Sequence, residues 1–468
     1  MKKINVWLVG AGPGNLNLLT LRGYEVIKNS DVVIYDRLVG DGVLSIIPEQ
    51  ALKINVGKSA NSHPVNQREI ENLIITHAKN NKRVVRLKGG DPFLFGRGGE
   101  EVEALIKNNI AFEIVPGVSS AVAVPELAGI PVTHRDFNSG VSIFTAHNKN
   151  NLIPDFDERS LIFLMGASRI KDIAEKLLNS NFDGSTPCAI IQDGAMAMQK
   201  IIRADLKKFA HENFNIQPPA VIVIGKIAGL NLIHYGRLHG KRILLTRPEG
   251  RADELSRLLR DEGAEIIHLP AIKFETLHGA LNNFDLGCYD FIAFTSVTGV
   301  RAFFELLRET ERDIREILNA KIAAIGSATA NELKNFGLRV DIMPDIYDGK
   351  HLAEKLNGRV LLLRALDVSS EIDEILTARS ISFNTVHVYK TSYVKFDVPD
   401  FIDAIIFTSS STVKSFAMNT NGYRDIQVIC IGEKTALQAR LSGFKNVVIS
   451  KRADVTSICE AVLNIFEV

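Results

Sequence analysis

The residues from Arg83 to Glu101 read RVVRLKGGDPFLFGRGGEE, and the interpretation of the first half of the chain depends on this stretch. It begins with a short β-branched run and turns at Gly89-Gly90-Asp91-Pro92. A strand that ends in a glycine turn can present backbone N–H groups and a carboxylate to a ligand. Arg86, Lys88 and Arg97 alternate with these glycines and with phenylalanines. This pattern predicts a site for a flat, anionic ligand, although a solvated charged face is the alternative.

Short apolar runs alternate with longer amphipathic segments on both sides of this stretch. Ile70, Leu73, Ile74 and Ala78 follow the spacing of one helix face. Alternating strands and helices predict α/β layers with largely parallel sheets. In the first half the predicted strands are Asn5–Val9, Asp31–Tyr35, Arg83–Leu87, Phe112–Val115, Val141–Thr145, Leu161–Met165, Ala189–Ile191 and Ala220–Ile224. In the second half they are Arg242–Thr246, Ile266–Leu269, Phe291–Thr295, Ile322–Ile325, Val360–Leu363, Ile405–Thr408, Val428–Ile431 and Val447–Ile449.

The composition is typical of a globular protein. Of the 468 residues, 46% are apolar and 23% are charged, so we expect roughly three domains of about 150 residues. No apolar run reaches the length of about 18 residues that a membrane span needs, and no signal-peptide pattern is present. We therefore expect a cytoplasmic protein without a membrane partner. The net charge of +1 argues against a nucleic-acid partner. The four cysteines form no C-x-x-C pair, so no metal site is predicted.

The second half of the chain contains an internal repeat. Phe294–Phe303 (FTSVTGVRAF) resembles Phe407–Phe416 (FTSSSTVKSF), and Ile325–Ala330 has a counterpart in Ile431–Ala436. Two copies so far apart predict two similar α/β lobes, each with a strand that ends in Thr and Ser residues. Ligands of α/β sheets bind at the carboxyl ends of the strands, so both strand ends are candidate binding positions.

Several further motifs of the first half also follow predicted strands. The loop Gly10-Ala11-Gly12-Pro13-Gly14 lets backbone approach a ligand, but a dinucleotide fingerprint would need glycine in place of Asn15. Taken one by one, the motifs could equally be turns, caps or surface charge. The others are Tyr35–Leu38, Val56–Lys58, Val115–Ser120 and Gly129–Asp136.

Taken together, these motifs resemble the tetrapyrrole methylases over the first 235 residues. Within that family they are most similar to the S-adenosyl-L-methionine-dependent uroporphyrinogen-III C-methyltransferases. The resemblance implies residues 1–236 folded as two α/β subdomains (about 1–116 and 117–236), the cofactor in the cleft between them, and a homodimer. It implies Asp36 as general base and Lys58 as proton donor. The implied cofactor contacts are Pro13, Gly89, Gly90, Asp91, Leu94, Ser119, Ser120, Met165 and Gly194.

The substrate implied by this resemblance is a macrocycle with many carboxylates, which calls for basic anchors. Our candidates are Arg37, Arg86, Lys88, Arg97, His134 and Arg135. The sequence departs from the family pattern at Asn15, where Asp is usual, at Ala146, where Gly is usual, and at Ala195, where Thr is usual. These departures concern cofactor affinity, whereas Asp36 and Lys58 are retained.

The second half, residues 241–468, resembles the uroporphyrinogen-III synthases. The motifs are short, and their order and spacing carry the resemblance: Leu245–Pro248, Phe294–Gly299, Ile325–Ala330, Val388–Thr391, Phe407–Ser411 and Ile431–Ala436. The resemblance implies two lobes, one of about 241–271 plus 392–468 and the other of about 272–391.

The same resemblance implies that Tyr389 assists departure of water from the substrate. The alternative for Tyr389 is a tyrosine on an edge strand. Hydroxyls at strand ends are candidate contacts to substrate carboxylates, or caps of the helices that follow. They are Thr295, Ser296, Ser327, Thr408, Ser409, Ser410 and Thr435.

The two resemblances concern consecutive reactions, because the product of the synthase is the substrate of the methylase. The sequence therefore predicts a bifunctional enzyme. It would cyclise hydroxymethylbilane to uroporphyrinogen III with inversion of the last ring, and then methylate that product twice to give precorrin-2, on the route to siroheme or cobalamin. Three alternatives stay open at this point: a methylase of a later corrin intermediate, a non-catalytic tetrapyrrole-binding or dimerising second half, and a non-enzymatic regulator.

Overall fold

The computed structural model describes residues 3–57, 66–146, 159–247 and 253–466. It divides into two compact units. Unit 1 comprises Met1–Leu269, Val398–Val413 and Thr420–Val468, and unit 2 comprises Pro270–Asp397 and Lys414–Asn419. Within the described residues, strands and helices alternate along the chain and build four sheets of five strands, which confirms the α/β prediction.

The first half of unit 1 contributes two of these sheets. Its strands are β1 Val6–Gly10, β2 Val32–Tyr35, β3 Leu52–Asn55, β4 Val84–Lys88, β5 Phe112–Val115, β6 Val141–Thr145, β7 Ser160–Leu164, β8 Pro187–Gln192, β9 Lys200–Asp205 and β10 Ala220–Ile224. Its helices are α1 Leu21–Lys28, α2 Asp41–Leu44, α3 Gln67–Lys79, α4 Gly98–Lys107, α5 Ser120–Leu127, α6 Ile170–Asn179 and α7 Leu206–His211.

The first sheet is parallel throughout, in the order β3-β2-β4-β1-β5. Successive residues of a strand point to opposite faces, and both faces of β1 are buried. Val6 and Leu8 belong to one apolar cluster, whereas Trp7 and Val9 belong to another. Because all five strands run the same way, their carboxyl ends lie at one edge, and the predicted motifs follow these ends.

The helix predicted from the spacing of Ile70, Leu73, Ile74 and Ala78 is α3. It begins with a capping box, in which the Asn66 side chain accepts from the Glu69 N–H and the Glu69 carboxylate accepts from the Asn66 N–H, each at 3.0 Å. The apolar face then packs on the sheet.

The second sheet has the order β6-β7-β10-β8-β9, and here the expectation of largely parallel pairing is wrong. Only β6 and β7 are parallel, whereas β10 runs antiparallel to both β7 and β8, and β8 runs antiparallel to β9. The short connection between β8 and β9, residues 193–199, leaves no room for the crossover that a parallel pair needs.

The second half of the chain provides the other two sheets. Its strands are β11 Arg242–Leu245, β12 Glu265–His268, β13 Ile272–Thr276, β14 Phe291–Phe294, β15 Lys321–Ala324, β16 Arg359–Ala365, β17 Ser382–Tyr393, β18 Ala404–Phe407, β19 Gln427–Cys430 and β20 Asn446–Ile449. Its helices are α8 Asp253–Asp261, α9 Val297–Glu309, α10 Ser327–Asn335, α11 Gly349–Lys355, α12 Glu371–Ala378, α13 Ser410–Asn419, α14 Glu433–Leu441 and α15 Val455–Phe466.

The third sheet lies in unit 1 and is parallel throughout, in the order β12-β11-β18-β19-β20. The fourth sheet lies in unit 2, in the order β13-β17-β16-β14-β15, and only its edge strand β13 runs antiparallel. The two copies of the sequence repeat are thus equivalent strand–helix units, β14–α9 in the fourth sheet and β18–α13 in the third.

Candidate functional site

Three glycines bring the carboxyl ends of β1, β4 and β5 together. A Cβ atom on Gly10 would lie 2.5 Å from the Cα of Gly117, and one on Gly117 would lie 2.2 Å from the carbonyl oxygen of Gly90. Only glycine permits such an approach. Gly12 and Gly90 also exchange backbone hydrogen bonds of 3.2 and 2.7 Å. Among the described residues, a Cβ on Gly90 would meet only the Ser120 nitrogen, at 3.8 Å, so these residues leave space above Gly90 for a ligand.

The glycine loop after β1 is held on two sides at Gly14. A Cβ on Gly40 would lie 2.0 Å from the Gly14 carbonyl oxygen, and a Cβ on Gly14 itself would lie 2.6 Å from the sulfur of Met196. The loops that follow β2 and β8 therefore both touch the glycine loop. Nearby, a Cβ on Gly194 would lie 2.3 Å from a methyl carbon of Val124, which ties the loop after β8 to α5.

Asp91 organises the turn after β4. One carboxylate oxygen accepts hydrogen bonds from the backbone N–H groups of Phe93 at 2.8 Å and Leu94 at 3.1 Å. The other oxygen accepts from the N–H of Gly117 at 3.1 Å. Asp91 thereby joins the ends of β4 and β5, and it shapes the surface on which the predicted cofactor contacts lie.

Several residues other than glycine adopt positive φ angles at the ends of β7 and β8. The φ angles are 58° at Met165, 49° at Asp193 and 70° at Ala195. Such conformations are costly and concentrate at functional sites. Met165 is also 44% exposed, so its side chain is accessible to a ligand. This signal in the backbone supports Met165 and Gly194 as neighbours of a ligand.

The predicted cofactor contacts all lie at the carboxyl ends of strands or in the turns that follow them. Pro13 follows β1, the residues from Gly89 to Leu94 follow β4, and Ser119 and Ser120 open α5 after β5. At the departure from the family pattern, the Asn15 side chain accepts from the Asn17 N–H at 2.9 Å, so an amide serves as the cap there. Ala146 is buried, and its carbonyl oxygen accepts from Arg169.

Asp36 directly follows β2 and contacts a group of buried charged side chains. Asp36, Arg86, Lys88 and Glu101 together are called the Asp36 cluster. Its carboxylate accepts from Arg86 at 2.6 Å and lies 3.9 Å from the Lys88 ammonium. Glu101 of α4 then accepts from both cations, from Arg86 at 3.1 Å and Lys88 at 3.0 Å, and from the Gln67 amide at 3.2 Å. Arg86, Lys88 and Glu101 are each 3% exposed or less, whereas the Asp36 side chain is 32% exposed. Asp36 is thus the member of the cluster that can reach a substrate.

The geometry of the Asp36 cluster contradicts the prediction that Arg86 and Lys88 anchor the substrate, and it adds Glu101 to the candidate site. Arg86 and Lys88 face inward, so their geometry is not that of a carboxylate anchor at the surface, and they support Asp36 and Glu101 instead. Burial, together with the charge of Arg86, lowers the pKa of the Lys88 ammonium. Glu101 was not among the predicted site residues, and its Oε2 has no hydrogen-bond partner within the part of the chain that the structure describes. The predicted proton donor Lys58 lies outside the described residues.

The other predicted anchors are accessible. Arg37, Arg97 and Arg135 are exposed, and His134 is half-buried with its ring against Phe137. Arg97 is bound to Glu100, two of the bonds being 3.0 and 3.1 Å, and this pairing lowers the pKa of the Glu100 carboxyl.

In unit 2, Tyr389 lies in the interior of the fourth sheet. Its hydroxyl is 3.0 Å from the hydroxyl of Ser296, and its ring packs edge-on against Phe274 with centroids 5.6 Å apart. Ser296 also caps α9 by accepting from the Gly299 N–H at 2.9 Å. The alternative of an edge-strand tyrosine is wrong, because β17 is flanked by β13 and β16. A hydroxyl pair therefore lies at the carboxyl end of β14, next to Thr295.

The equivalent position in unit 1 is organised by helix caps. The Ser409 hydroxyl accepts from the Thr412 N–H at 3.3 Å, and the Ser410 hydroxyl donates to the Lys434 carbonyl oxygen at 3.1 Å. Thr435 is 5% exposed. Thr408 is half-buried, and Ser327 of unit 2 is exposed. Ser296 and Ser409 therefore cap the helices that follow them. Their contacts to substrate stay predictions.

Two absences hold over residues 3–57, 66–146, 159–247 and 253–466. In these ranges no group of three or more His, Cys, Asp or Glu side chains is arranged to hold a metal ion. Nor does any described helix have the length and hydropathy to cross a membrane. The carboxylates of the Asp36 cluster are neutralised by Arg and Lys instead.

Comparison with known proteins shows two consecutive family matches. The model for Tetrapyrrole (Corrin/Porphyrin) Methylases matches residues 5–210, and the model for Uroporphyrinogen-III synthase HemD matches residues 253–460. The Porphyrin biosynthesis protein HemD of Ruminiclostridium josui is 38% identical over 98% of this chain and 98% of that protein. The Uroporphyrinogen-III C-methyltransferase of Bacillus subtilis (strain 168) is 34% identical over 83% of this chain and 85% of that protein.

Solved structures resemble parts of the chain. The crystal structure of uroporphyrin-III C-methyl transferase from Thermus thermophilus, complexed with S-adenyl homocysteine, is 36% identical with a TM-score of 0.42. That alignment covers 48% of this chain and 93% of the other. The sequence relative from Ruminiclostridium josui spans nearly the whole chain, and the two family matches confirm both resemblances stated above. The chain therefore belongs to the family of porphyrin biosynthesis proteins in which a tetrapyrrole methylase precedes a uroporphyrinogen-III synthase.

Proposed function

We propose that this chain converts hydroxymethylbilane to uroporphyrinogen III and then methylates that product twice to give precorrin-2. Membership of the two-part family is the observation that carries this proposal, because it joins two consecutive reactions in one chain. The Asp36 cluster and the Ser296–Tyr389 pair supply different groups that suit the two reactions.

The proposed cofactor is S-adenosyl-L-methionine, and the glycine surface fits it. The space above Gly90 and the backbone N–H of Ser120 beside it can receive a ligand with polar groups. Met165, which is exposed, is proposed to add an apolar contact. When bound there, the cofactor would supply the methyl group. Pro13, Leu94, Ser119, Ser120 and Gly194 are proposed to complete this pocket.

Asp36 is the proposed general base of the methyl transfer. Methylation of a pyrrole carbon requires a proton to leave the macrocycle, and a held carboxylate can accept it. Arg86 donates a 2.6 Å hydrogen bond to that carboxylate, so Asp36 is already oriented when the substrate binds. Exposed Arg37, Arg97 and Arg135, with His134, are proposed to bind substrate carboxylates, and Lys58 is proposed as proton donor.

Tyr389 is the proposed acid of the synthase reaction. Ring closure of hydroxymethylbilane expels water, and a hydroxyl near the departing group can donate a proton to it. Ser296, 3.0 Å away, is suited to orient the Tyr389 hydroxyl. Since the substrate is reactive, the main task of the protein is to fold it so that the last ring inverts.

We propose residues 1–236 as the methyltransferase and 241–468 as the synthase, with lobes of about 241–271 plus 392–468 and 272–391. The methyltransferase half is proposed to form a cytoplasmic homodimer without a nucleic-acid partner. The domain bounds and the homodimer rest on the family resemblance, and the expected absence of a nucleic-acid partner rests on the net charge of +1.

The test is an anaerobic incubation of the purified protein with hydroxymethylbilane, with and without S-adenosyl-L-methionine. Products are oxidised and separated by isomer and by mass. We expect type III uroporphyrin without the cofactor and a dimethylated product with it. Type I isomer alone, which forms spontaneously, would make the second half a non-catalytic module. Supplied uroporphyrinogen III that gained no methyl groups would point to a methylase of a later intermediate.

A further inference from the structure

A buried arginine on β11 links the two proposed halves within unit 1. Arg242 is 3% exposed, and its guanidinium donates to Asp41 at 2.7 Å and to Glu265 at 3.2 Å. It also donates to the carbonyl oxygen of Phe401 at 3.2 Å. Asp41 opens α2 in the methyltransferase half, whereas Arg242 and Glu265 lie on neighbouring strands of the third sheet. The contact is therefore an ion pair across the proposed boundary, between a buried guanidinium and a partly exposed carboxylate.

Glu265 makes a second connection. Its other carboxylate oxygen accepts from the backbone N–H of Ala197 at 2.7 Å. Ala197 belongs to the loop after β8, in the second sheet. Glu265 thus holds Arg242 with one oxygen and this loop with the other. Asp41, Ala197, Arg242 and Glu265 together are called the Arg242 clamp.

Both arms of the clamp end beside the residues that enclose Gly14. Asp41 follows Gly40, whose Cα packs against the Gly14 carbonyl group, and Ala197 follows Met196, whose sulfur packs against the Gly14 Cα. The clamp therefore fixes two loops that both contact the glycine loop at Gly14. One of these loops begins with Asp36 and the other contains Gly194.

We propose that Arg242 and Glu265, residues of the proposed synthase half, are positioning residues for the cofactor site of the methyltransferase half. The proposal rests on the function proposed above. The Arg242 clamp fixes the distance between the loop after β2 and the loop after β8. The glycine loop lies in contact with both loops, and it needs this distance to bind the cofactor. By linkage, cofactor binding must in turn stabilise the strands that carry Arg242 and Glu265.

The experiment uses the full-length protein and S-adenosylhomocysteine as the probe, titrated by calorimetry. Asp41→Asn and Glu265→Gln keep the shape of each side chain and weaken one arm each. We expect each to raise the Kd for S-adenosylhomocysteine by about fivefold or more, and to raise the KM for the cofactor with little change in kcat. Glu262→Gln is the matched control, because its ion pair with Arg237 at 2.6 Å ties the synthase half to the segment just before it, and the guanidinium of that pair is exposed. It should leave the Kd unchanged.

A second measurement covers the case in which the variants fail to fold. In the wild-type protein, S-adenosylhomocysteine should slow amide hydrogen exchange in Glu265–His268, and leave Asn446–Ile449, at the far edge of the same sheet, unchanged. Folded variants with the wild-type Kd, or exchange that does not slow in Glu265–His268, would overturn the clamp. Wild-type protein that does not bind the probe would overturn the proposed methyltransferase function itself, and the clamp with it.

Discussion

The two proposed reaction centres differ in how they hold their reactive group. Asp36 is held by buried ions, with Arg86 at 2.6 Å and with Glu101 behind Arg86 and Lys88. The Tyr389 hydroxyl is held by another hydroxyl, that of Ser296, in an apolar cluster. One site is therefore built from charge and the other from neutral dipoles.

The difference follows from what each reaction demands. A base that removes a proton from a macrocycle must be present as a carboxylate, and a carboxylate at the edge of an apolar sheet needs cations to hold it. An acid that assists the loss of water from a reactive substrate needs only a positioned O–H group. Removing one member of the charged cluster leaves other buried ions without a partner. Removing one hydroxyl of the Ser296–Tyr389 pair leaves only one neutral hydroxyl without its hydrogen bond.

The strongest test of the comparison is Asp36→Asn. We expect methyl transfer to uroporphyrinogen III to fall by about 100- to 10,000-fold, because the amide cannot accept the proton. Formation of the type III isomer by the same preparation should not change, and it serves as the control for folding. The measurement is transfer of labelled methyl groups from S-adenosyl-L-methionine. Near-normal transfer would remove the base role from Asp36.

The second test concerns the ions behind Asp36. Glu101→Leu leaves Arg86 and Lys88 buried without their common carboxylate, and we expect it to cost about 3 to 5 kcal/mol of unfolding free energy. Urea unfolding can be followed by the fluorescence of Trp7, the single tryptophan of the chain, which lies on β1 beside β4. Glu100→Gln is the control, because its exposed pair with Arg97 should contribute about 1 kcal/mol or less. Equal losses of unfolding free energy in the two variants would show that the buried ion pairs of Glu101 stabilise the fold no more than the exposed pair of Glu100.

Most interior strands of the sheets were predictable from the sequence, whereas several edge strands were not. Every predicted strand occurs in the structure, and its ends differ from the prediction by at most two residues. Four strands were missed. Three of them, β3, β9 and β13, lie at the edges of their sheets, whereas β17 lies inside the fourth sheet although its sequence SFNTVHVYKTSY mixes polar and apolar residues. An edge strand has one exposed side and mixed polarity, as in LKIN at β3, so it lacks the continuous apolar run that identifies an interior strand.

Glu101 shows why part of the site could not be predicted. In the sequence it is one of two acidic residues at the start of a helix, where a carboxylate is usual because it complements the helix dipole. Only the structure shows that Glu101 points inward to Arg86 and Lys88, whereas its neighbour Glu100 points outward to Arg97. The same ambiguity made Arg86 and Lys88 candidate anchors. A list of charged residues cannot tell which face of a strand or helix each occupies.

The third test concerns the site built from hydroxyls. Tyr389→Phe should slow formation of the type III isomer by about tenfold. This is less than the loss typical of a positioned acid, because the substrate is itself reactive. The rate is measured by separating isomers of the oxidised product. Tyr289→Phe is the matched control, because Tyr289 is a buried tyrosine of the same apolar cluster and its hydroxyl donates to Asn384 at 3.0 Å. If both variants slow the reaction equally, the effect is structural and Tyr389 has no special role.

The smallest effect is expected at the surface of the charged site. Arg97→Ala should raise the KM for uroporphyrinogen III by about threefold, and the difference from wild type should shrink as salt is added, because an exposed charge acts through a screened interaction. Glu100→Gln sharpens the test. Glu100 binds Arg97 in the structure, so its removal frees the guanidinium for the substrate and should lower the KM or leave it unchanged. A KM that rises in both variants would mean that the Arg97–Glu100 pair shapes the turn before α4, and that Arg97 does not contact the substrate.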